Sequence, residues 1–191
     1  MKTKNILSIA AVAVIVFSTM AFTTIKNKKV KVSESAITWK AYKITGSSHE
    51  GTIGLKEGNL EFDGKNLTGG SFVVDMSSMA CTDLSGDSKS SLEGHLKSDD
   101  FFNVKEFPTA KYVIKNVRGK DGTFKVNGDM TIKGKTSTVS LTFIIKDNTA
   151  KASFKVDRTK FGITYGSASF IDGLKDRAIN DEFDLTVSLK F

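Results

Sequence analysis

The sequence has little cysteine, histidine or proline: one Cys, two His and one Pro in 191 residues. A single cysteine excludes an intramolecular disulfide framework, and this set is too small for a four-ligand zinc site built from His and Cys. The scarcity of proline excludes collagen-like and proline-rich disordered chains. No pattern around Cys81 is typical of a cysteine protease, so we expect Cys81 to be a small structural side chain.

The surplus of positive charge is confined to one end of the chain. The formal net charge is +7, but from Val32 onward 22 Lys and Arg stand against 21 Asp and Glu. A nucleic-acid-binding domain would carry its surplus on the folded part. We therefore expect no nucleic-acid partner and treat residues 22–31 as a basic N-terminal tail. A transient contact with a membrane surface stays open.

Residues 1–21 have the pattern of a secretory signal peptide. Lys2 and Lys4 precede an apolar run at residues 6–17, and small residues end the segment at Ala21. The apolar run is shorter than the roughly 20 residues that a transmembrane helix prefers. We therefore predict cleavage after Ala21, a mature chain that starts near Phe22, and a periplasmic or secreted protein.

Alternating apolar and polar residues dominate residues 32–191, which is typical of half-buried β-strands. The clearest segment is the last, in which one face carries Phe183, Leu185, Val187, Leu189 and Phe191. A shift of one residue would turn each strand over, so the alternation predicts orientation as well as structure. On this basis seven side chains are predicted to point inward: Trp39, Phe72, Val74, Tyr112, Phe124, Phe143 and Phe154.

Turn signals separate the predicted strands. Four pairs are placed for β-hairpins: Asp63-Gly64, Asp121-Gly122, Gly134-Lys135 and Asp147-Asn148. Residues 83–97 depart from the alternation, because Leu92 and Leu96 stand four residues apart. They predict one short amphipathic helix near residues 87–97, with three candidate N-caps: Ser85, Asp87 and Ser88.

About eight antiparallel strands must protect their edges, and closure into a barrel does so completely. We therefore predict an all-β fold, a closed antiparallel β-barrel of about eight strands with one short helix, in which segments 37–43 and 183–191 lie together. A small barrel can hold one apolar ligand in its interior. A β-sandwich without a cavity is the alternative.

Seven stretches in residues 32–191 form a recognisable pattern: SAITWKAYK at 35–43, SHEG at 48–51, GSFVVDM at 70–76, HLKSDDFF at 95–102, FPTA at 107–110, GDMTIKG at 128–134 and DRTKFGI at 157–163. In order and spacing they resemble the YceI-like family of secreted, lipocalin-like barrels associated with polyisoprenoid binding. The resemblance implies an exported, lipid-binding β-barrel domain at residues 32–191. It also implies an apolar interior that holds a long isoprenoid chain, with no cofactor besides that lipid and no catalytic role assured.

The expected ligand site is the interior of the barrel and its lip. Fourteen Phe stand against three Tyr and one Trp, and Phe lines a channel without leaving an unpaired polar group. Ordinary core packing is the alternative for each Phe, and a plug at one barrel end is the alternative for the Phe101–Phe102 pair. The expected ligand-binding residues are Trp39, Tyr42, His49, Phe72, Val74, Phe101, Phe102, Tyr112, Phe143, Phe154, Arg158 and Phe161.

Few polar groups are available for a lipid head group. His49 or Tyr42 would meet it, and the Arg158 guanidinium would grip a diphosphate or a quinone oxygen. The structural alternative for Arg158 is to pin the Gly- and Ser-rich segment 159–174 through backbone carbonyls. His95 is expected to bond a neighbouring backbone group or an acid such as Asp83.

These observations favour a binding protein over an enzyme. The favoured interpretation is an exported protein that holds a polyprenyl or isoprenoid-quinone-type chain for carriage or storage. A barrel enzyme acting on a lipid would need a nucleophile with a base, or a metal, and no such set is recognisable. A secreted, stress-related interaction protein with a packed barrel is the other alternative. We expect no metal, and both a monomer and a homodimer stay open.

Overall fold

The computed structural model describes residues 24–191, so the predicted signal peptide lies outside the described residues. In that range the chain forms nine β-strands and one α-helix: β1 (Ile25–Lys29), β2 (Ala36–Tyr42), β3 (Ser48–Asp63), β4 (Asn66–Cys81), α1 (Gly86–Lys97), β5 (Thr109–Lys120), β6 (Thr123–Ile132), β7 (Lys135–Lys146), β8 (Thr149–Asp157) and β9 (Glu182–Lys190). Short 3₁₀ turns lie at Val32–Glu34, Arg158–Phe161 and Lys175–Arg177.

Eight of these strands close into a barrel. The order is β3-β2-β9-β8-β7-β6-β5-β4, and β4 pairs back with β3. All of these pairings are antiparallel. The two predicted ends of the sheet meet, since β2 pairs with β9 from Ala36 opposite Ser188 to Lys40 opposite Asp184. The predicted closed antiparallel barrel is confirmed, and the β-sandwich alternative is wrong.

The segment expected to be a basic tail contributes a strand of its own. Ile25 lies opposite Asp63 and Lys29 opposite Asn59, so β1 pairs with one half of β3, while β2 pairs with the other half. The exposed edge of β3 supplies backbone partners, which is why a lysine-rich segment of low strand propensity is extended and paired. Ile25–Lys29 is therefore part of the sheet, and Val30 after it is buried.

Tight turns join β5 to β6, β6 to β7 and β7 to β8. Both central residues of each turn have positive φ, as the hairpin turns that match strand twist require: Asp121 and Gly122, Lys133 and Gly134, Asp147 and Asn148. The β6–β7 turn lies one residue before the predicted Gly134-Lys135, because glycine takes the second central position. We call the end of the barrel with the turns at 121–122 and 147–148 the hairpin end.

The other end, which we call the helix end, is covered by α1 and by the segment 158–181. Helix α1 begins after Ser85, one of the three predicted caps, whose side chain makes no capping hydrogen bond. Leu92 and Leu96 pack against a buried cluster that includes Trp39 and Met76, which confirms the predicted short helix. No helix in residues 24–191 has the length and apolar character needed to cross a bilayer.

The barrel wall is incomplete between β7 and β8. The two strands pair at only three positions, from Lys146 opposite Thr149 to Ile144 opposite Lys151, whereas β6 and β7 pair at ten. Beyond Ile144 the strands separate, and the 3₁₀ turn Arg158–Phe161 packs against β7 near the helix end. We call the stretch between these two closures the β7–β8 gap.

Candidate ligand-binding cavity

The barrel encloses an apolar cavity of about 130 Å³. The inward faces of β2 to β9 supply most of its lining, and Phe102 adds to it from the segment after α1. Among the lining residues only Lys111 is charged, and it lies on a strand whose neighbours Ala110 and Tyr112 also line the cavity. Such a cavity suits a ligand without polar groups, because nothing in the lining compensates the desolvation of a polar atom.

The polar tips of the two amphipathic aromatic side chains are satisfied within the wall. The Tyr112 hydroxyl donates to the carbonyl of Val139 at 2.9 Å, and the Trp39 indole N–H donates to the carbonyl of Thr52 at 3.2 Å. Burial raises the pKa of Tyr112 well above its usual value, so the phenol stays neutral. Both rings therefore present carbon surface to the cavity.

Two glycines make room for these rings. A Cβ built on Gly128 would lie 2.5 Å from Cζ of Tyr112, and one built on Gly51 would lie 2.5 Å from Cζ2 of Trp39. Any side chain at either position would displace the aromatic ring from its place in the wall. The glycines thus allow large flat side chains to lie across neighbouring strands.

Several inward-facing side chains are only partly buried because the space beside them is not filled. Val74, Phe154, Leu185 and Val187 all line the cavity, yet each retains intermediate exposure. In a packed barrel these positions would be covered on every side, as Phe124 is at 1% exposure. The interior is therefore partly hollow.

The cavity is small compared with a long isoprenoid chain. An engineered apolar cavity of about 150 Å³ holds one benzene molecule, so about 130 Å³ accommodates roughly one five-carbon prenyl unit. A longer chain requires lining side chains to move. Three of them are methionines, Met76, Met79 and Met130, whose unbranched side chains re-pack readily.

Seven of the twelve residues expected to bind ligand line this cavity: Trp39, Phe72, Val74, Phe102, Tyr112, Phe143 and Phe154. The alternation predicted a partly different set of seven inward-pointing side chains, and this orientation is confirmed for all of them. Six line the cavity, and the seventh, Phe124, is buried in the barrel core. The remaining five expected residues, Tyr42, His49, Phe101, Arg158 and Phe161, lie outside the lining.

Arg158 takes the structural role rather than the head-group role. Its side chain is 4% exposed, and its guanidinium donates four hydrogen bonds of 2.8–3.1 Å to the carbonyls of Asn180, Ile163, Tyr165 and Ile179. Nη2 also lies 3.6 Å from Oδ1 of Asp181. These contacts leave no free fork for a diphosphate, and they hold segment 158–181 over the helix end.

Phe101 and Phe161 belong to the closure of the helix end. Phe101 is 5% and Phe161 1% exposed. The Phe101 ring packs against His95 with 5.0 Å between ring centroids and against Tyr165 with 5.4 Å. Phe101 therefore plugs the end, whereas its neighbour Phe102 reaches the cavity. The His95 ring contacts this aromatic group edge-on, and within residues 24–191 the expectation that it bonds a neighbouring backbone group or an acid such as Asp83 is not met.

Asp83 is instead the partner of His49 at the helix end. His49 Nδ1 lies 2.9 Å from Asp83 Oδ2, and the Cys81 thiol donates to Oδ1 at 2.9 Å. Burial by itself raises the pKa of Asp83, but the hydrogen bonds from Cys81, the Glu50 amide and His49 together hold this pKa well below its usual range. Burial raises the pKa of the Cys81 thiol, so Cys81 is the structural side chain that was expected.

Tyr42 is also engaged outside the cavity. Its hydroxyl donates to Asp184 Oδ2 at 2.7 Å, and this hydrogen bond raises the pKa of Tyr42. The Lys155 ammonium lies 3.0 Å from the other carboxylate oxygen of Asp184. Tyr42 therefore joins β2 to β9 on the outer surface of the barrel.

Sequence reasoning missed many of the lining residues, most of them aliphatic: Ile37, Ile53, Leu55, Met76, Met79, Ala110, Lys111, Met130, Ile132, Leu141, Phe183, Leu185, Val187 and Leu189. The signal for the four in β9 was present in the clean alternation of that strand. For Met76 and Met79 strict alternation could not place both on one face, since they stand three residues apart.

The sequence model of the YceI-like domain matches residues 17–191. The chain belongs to the YceI-like family. A curated relative, a UPF0312 protein of Shewanella denitrificans, is 30% identical over 86 residues, which are 44% of this chain and 43% of the relative. This YceI-like chain thus matches less than half of the length of that relative.

Solved structures share the barrel. Burkholderia cenocepacia BcnA has a TM-score of 0.66 at 20% identity, over 84% of this YceI-like chain and 98% of that chain. A polyisoprenoid binding domain from Saccharophagus degradans, implicated in plant cell wall breakdown, has a TM-score of 0.59 at 10% identity, over 87% and 97% respectively. At these identities the likeness concerns the fold.

Proposed function

We propose that this YceI-like protein binds a long isoprenoid chain, of the polyprenyl or isoprenoid-quinone type, in the interior of its barrel for carriage or storage. The observation that carries the proposal is the lining: apart from Lys111 it consists of apolar and aromatic residues, and the polar tips of Trp39 and Tyr112 are bonded within the wall. The fold shared with a polyisoprenoid binding domain supports the same ligand class.

The energetics require more than one prenyl unit to be buried. Burial gains about 0.8 kcal/mol per methylene, so one five-carbon unit gains about 4 kcal/mol, which only matches the lower end of the roughly 4–15 kcal/mol that association costs. Several units are needed for tight binding. The methionine and phenylalanine side chains must therefore swing aside as the chain enters, and specificity follows from the length of chain that the opened interior accepts.

Catalysis is not part of the proposal. The cavity lining contains no carboxylate, imidazole or thiol, and the hydroxyl of Tyr112 in that lining is bonded to the carbonyl of Val139. Residues 24–191 contain no cluster of three or more His, Cys, Asp and Glu suited to a metal ion. A lipid-modifying enzyme would need such groups beside the ligand. A packed barrel that acts only through its surface is the competing function.

Export belongs to the same proposal. A signal peptide at residues 1–21 would deliver the barrel to the periplasm or the medium, where an isoprenoid needs a carrier between membranes. Intact-mass measurement of protein from the envelope fraction should give a chain that starts near Phe22. A mass that retains residues 1–21 would contradict export by cleavage.

A matched pair of substitutions tests whether the interior is the binding site. Val74 lines the cavity, whereas Val113 on the adjacent strand faces outward with 38% exposure. Val74→Trp should lower the amount of octaprenol bound per folded protein at least severalfold, because the indole fills the space that the ligand needs. Val113→Trp adds the same side chain outside the barrel and should leave loading unchanged.

Bound octaprenol is measured by solvent extraction and mass spectrometry after incubation and gel filtration, with far-UV circular dichroism as the check on folding. Equal loading of the parent and Val74→Trp would favour the packed-barrel function. If tryptophan at position 74 prevents folding, Val74→Phe provides a smaller increment in volume with the same expected direction.

A further inference from the structure

One outer face of the barrel carries unpaired positive charge. Near the hairpin end, the outward side chains of β5, β6 and β8 include Arg118, Lys120, Lys125 and Lys151, and all four are exposed. The strand register brings them together, since Arg118 lies opposite Lys125. On β7 the exposed Ile144 lies opposite Lys151. We call these five residues the basic face.

The basic face lacks the carboxylate partners that other lysines of the barrel have. Elsewhere Lys40 pairs with Glu50 at 2.9 Å, Lys155 with Asp184 at 3.0 Å and Lys115 with Asp129 at 3.5 Å. Within residues 24–191, no carboxylate lies within 4 Å of the four cations of the basic face. Like charges directly opposite each other on neighbouring strands are destabilising. An arrangement that the fold itself does not neutralise suits an anion from outside.

An apolar side chain stands among these cations. Ile144 is 61% exposed, and across β6 its neighbour is Thr123, which in turn lies opposite Lys120. Long basic side chains around an exposed aliphatic residue are the pattern of surfaces that lie in the headgroup region of a bilayer, where the aliphatic group enters the acyl boundary. Nucleic acid would gain nothing from an exposed isoleucine.

The basic face borders the β7–β8 gap. Phe143, the residue before Ile144, lines the cavity, and the strands separate immediately beyond Ile144. A bilayer in contact with this face would therefore lie beside the weakest part of the barrel wall. No such thinning accompanies the β6–β7 ladder on the other side of β7, which is continuous over ten pairs.

We propose that the basic face docks on the surface of an anionic lipid bilayer. Each Lys or Arg close to such a surface contributes attraction that decays within a Debye length, so four clustered cations give reversible, salt-sensitive binding. Docking is independent of whether the cavity holds an isoprenoid, and it adds to the proposed function the place at which this protein meets a membrane.

The test compares two double charge reversals with the same change in net charge. The first, Arg118→Glu with Lys125→Glu, removes the centre of the basic face. The control, Lys43→Glu with Lys105→Glu, alters two exposed lysines at the helix end. Co-sedimentation is measured with vesicles of phosphatidylcholine and phosphatidylglycerol, and with vesicles of phosphatidylcholine alone.

We expect the parent and the control to bind the phosphatidylglycerol vesicles and to release them at high salt. The first double variant should bind about tenfold or more weakly, and Ile144→Ser should weaken binding less. Equal loss in both double variants, or no loss in the first, would overturn the proposal. Parent protein that binds duplex DNA but not the vesicles would overturn it as well.

Two further measurements distinguish a loss of vesicle binding from misfolding and from a loss of octaprenol binding. If the double variant loses its far-UV signal, Lys125→Glu alone replaces it with the same expected direction. Octaprenol loading in vesicle-free solution should be unchanged in the first double variant. A parent protein that loads no octaprenol refutes the proposed function, whereas a parent protein that loads octaprenol but does not bind the phosphatidylglycerol vesicles refutes docking.

Discussion

The Arg158 guanidinium is bonded to four backbone carbonyls and faces the Asp181 carboxylate. Arg158→Ala should lower the free energy of unfolding by about 3–5 kcal/mol, because it leaves several backbone carbonyls without a donor and removes the cation that faces the half-buried Asp181 carboxylate. Urea denaturation measures this loss. Arg177→Ala, a change at an exposed arginine in the same segment, should stay within about 0.5 kcal/mol of the parent.

The same variant discriminates the two roles of Arg158. Folded Arg158→Ala protein, prepared below its unfolding temperature, should load octaprenol as the parent does. Loss of loading with stability unchanged would mean that the guanidinium binds a head group after all.

Asp83 makes the stability of the helix end sensitive to acid. Its pKa is held below the value of about 3.9 for an unfolded aspartate, so the carboxylate contributes stability that is present above about pH 4 and is lost as the pH falls further. Asp83→Asn should therefore be less stable than the parent at pH 7, and the difference should shrink between pH 4 and pH 2.

Urea midpoints of both proteins across this pH range provide the measurement. Asp172→Asn, at an exposed loop position, serves as the control, and its urea midpoint should match that of the parent at every pH. A gap between parent and Asp83→Asn that is constant from pH 7 to pH 2 would show that the hydrogen bonds to Asp83 do not depend on its charge.

At the scale of single residues, the alternation of apolar and polar residues predicted which side chains point inward. It did not predict which groups a polar side chain binds. Phe72 and Tyr112 could be placed inward because each strand buries one face, whatever its neighbour in the sheet. The role of Arg158 depends on how residues 163–180 fold back over the end of the barrel. No local pattern encodes those carbonyl positions, so both roles stayed open until the structure was known.

At the scale of elements, the β7–β8 gap is the part of the barrel wall where neighbouring strands share the fewest paired positions. Backbone amides of residues 136–143 that face the gap have no strand partner on β8, whereas β6 is paired on both sides. In hydrogen exchange, peptides covering residues 136–143 should exchange faster than peptides covering residues 124–132. Equal protection of the two segments would mean that β7 and β8 are paired in solution along their full length.

Two elements show where strand prediction ends. Strand β1 forms because β3 offers it an edge, and a lysine-rich sequence alone gives no sign of that partner. In β4 the ladder to β3 shifts between Asp75 and Ala80. Asp75 Oδ1 accepts from the Ser77 amide at 2.9 Å, and Ser78 Oγ accepts from the Gly54 amide at 2.7 Å.

This bulge brings Met76 and Met79 onto the same cavity wall. An Asp followed two residues later by Ser is a local turn-forming pattern, so the interruption could have been suspected from the sequence. Its consequence for the lining could not, because the number of bulged residues depends on the pairing with β3.

At the scale of the whole molecule, the sequence predicted the closed barrel, the single short helix and the apolar interior. It did not predict how much space inside the barrel is left unfilled. The inward residues of eight strands were visible as alternation, but whether they fill the barrel depends on strand tilt and on the rings of Trp39 and Tyr112. The resulting space is about 130 Å³, and the proposed binding of a long isoprenoid chain requires this space to widen.

The measurement that tests the central claim most directly is the lipid content of the protein as isolated from its native source without detergent. Solvent extraction and mass spectrometry should recover an isoprenoid chain at close to one molecule per folded protein, and the Val74→Trp variant produced in the same host should carry severalfold less. Protein that carries no isoprenoid, or a variant that carries as much as the parent, would contradict an isoprenoid-binding interior.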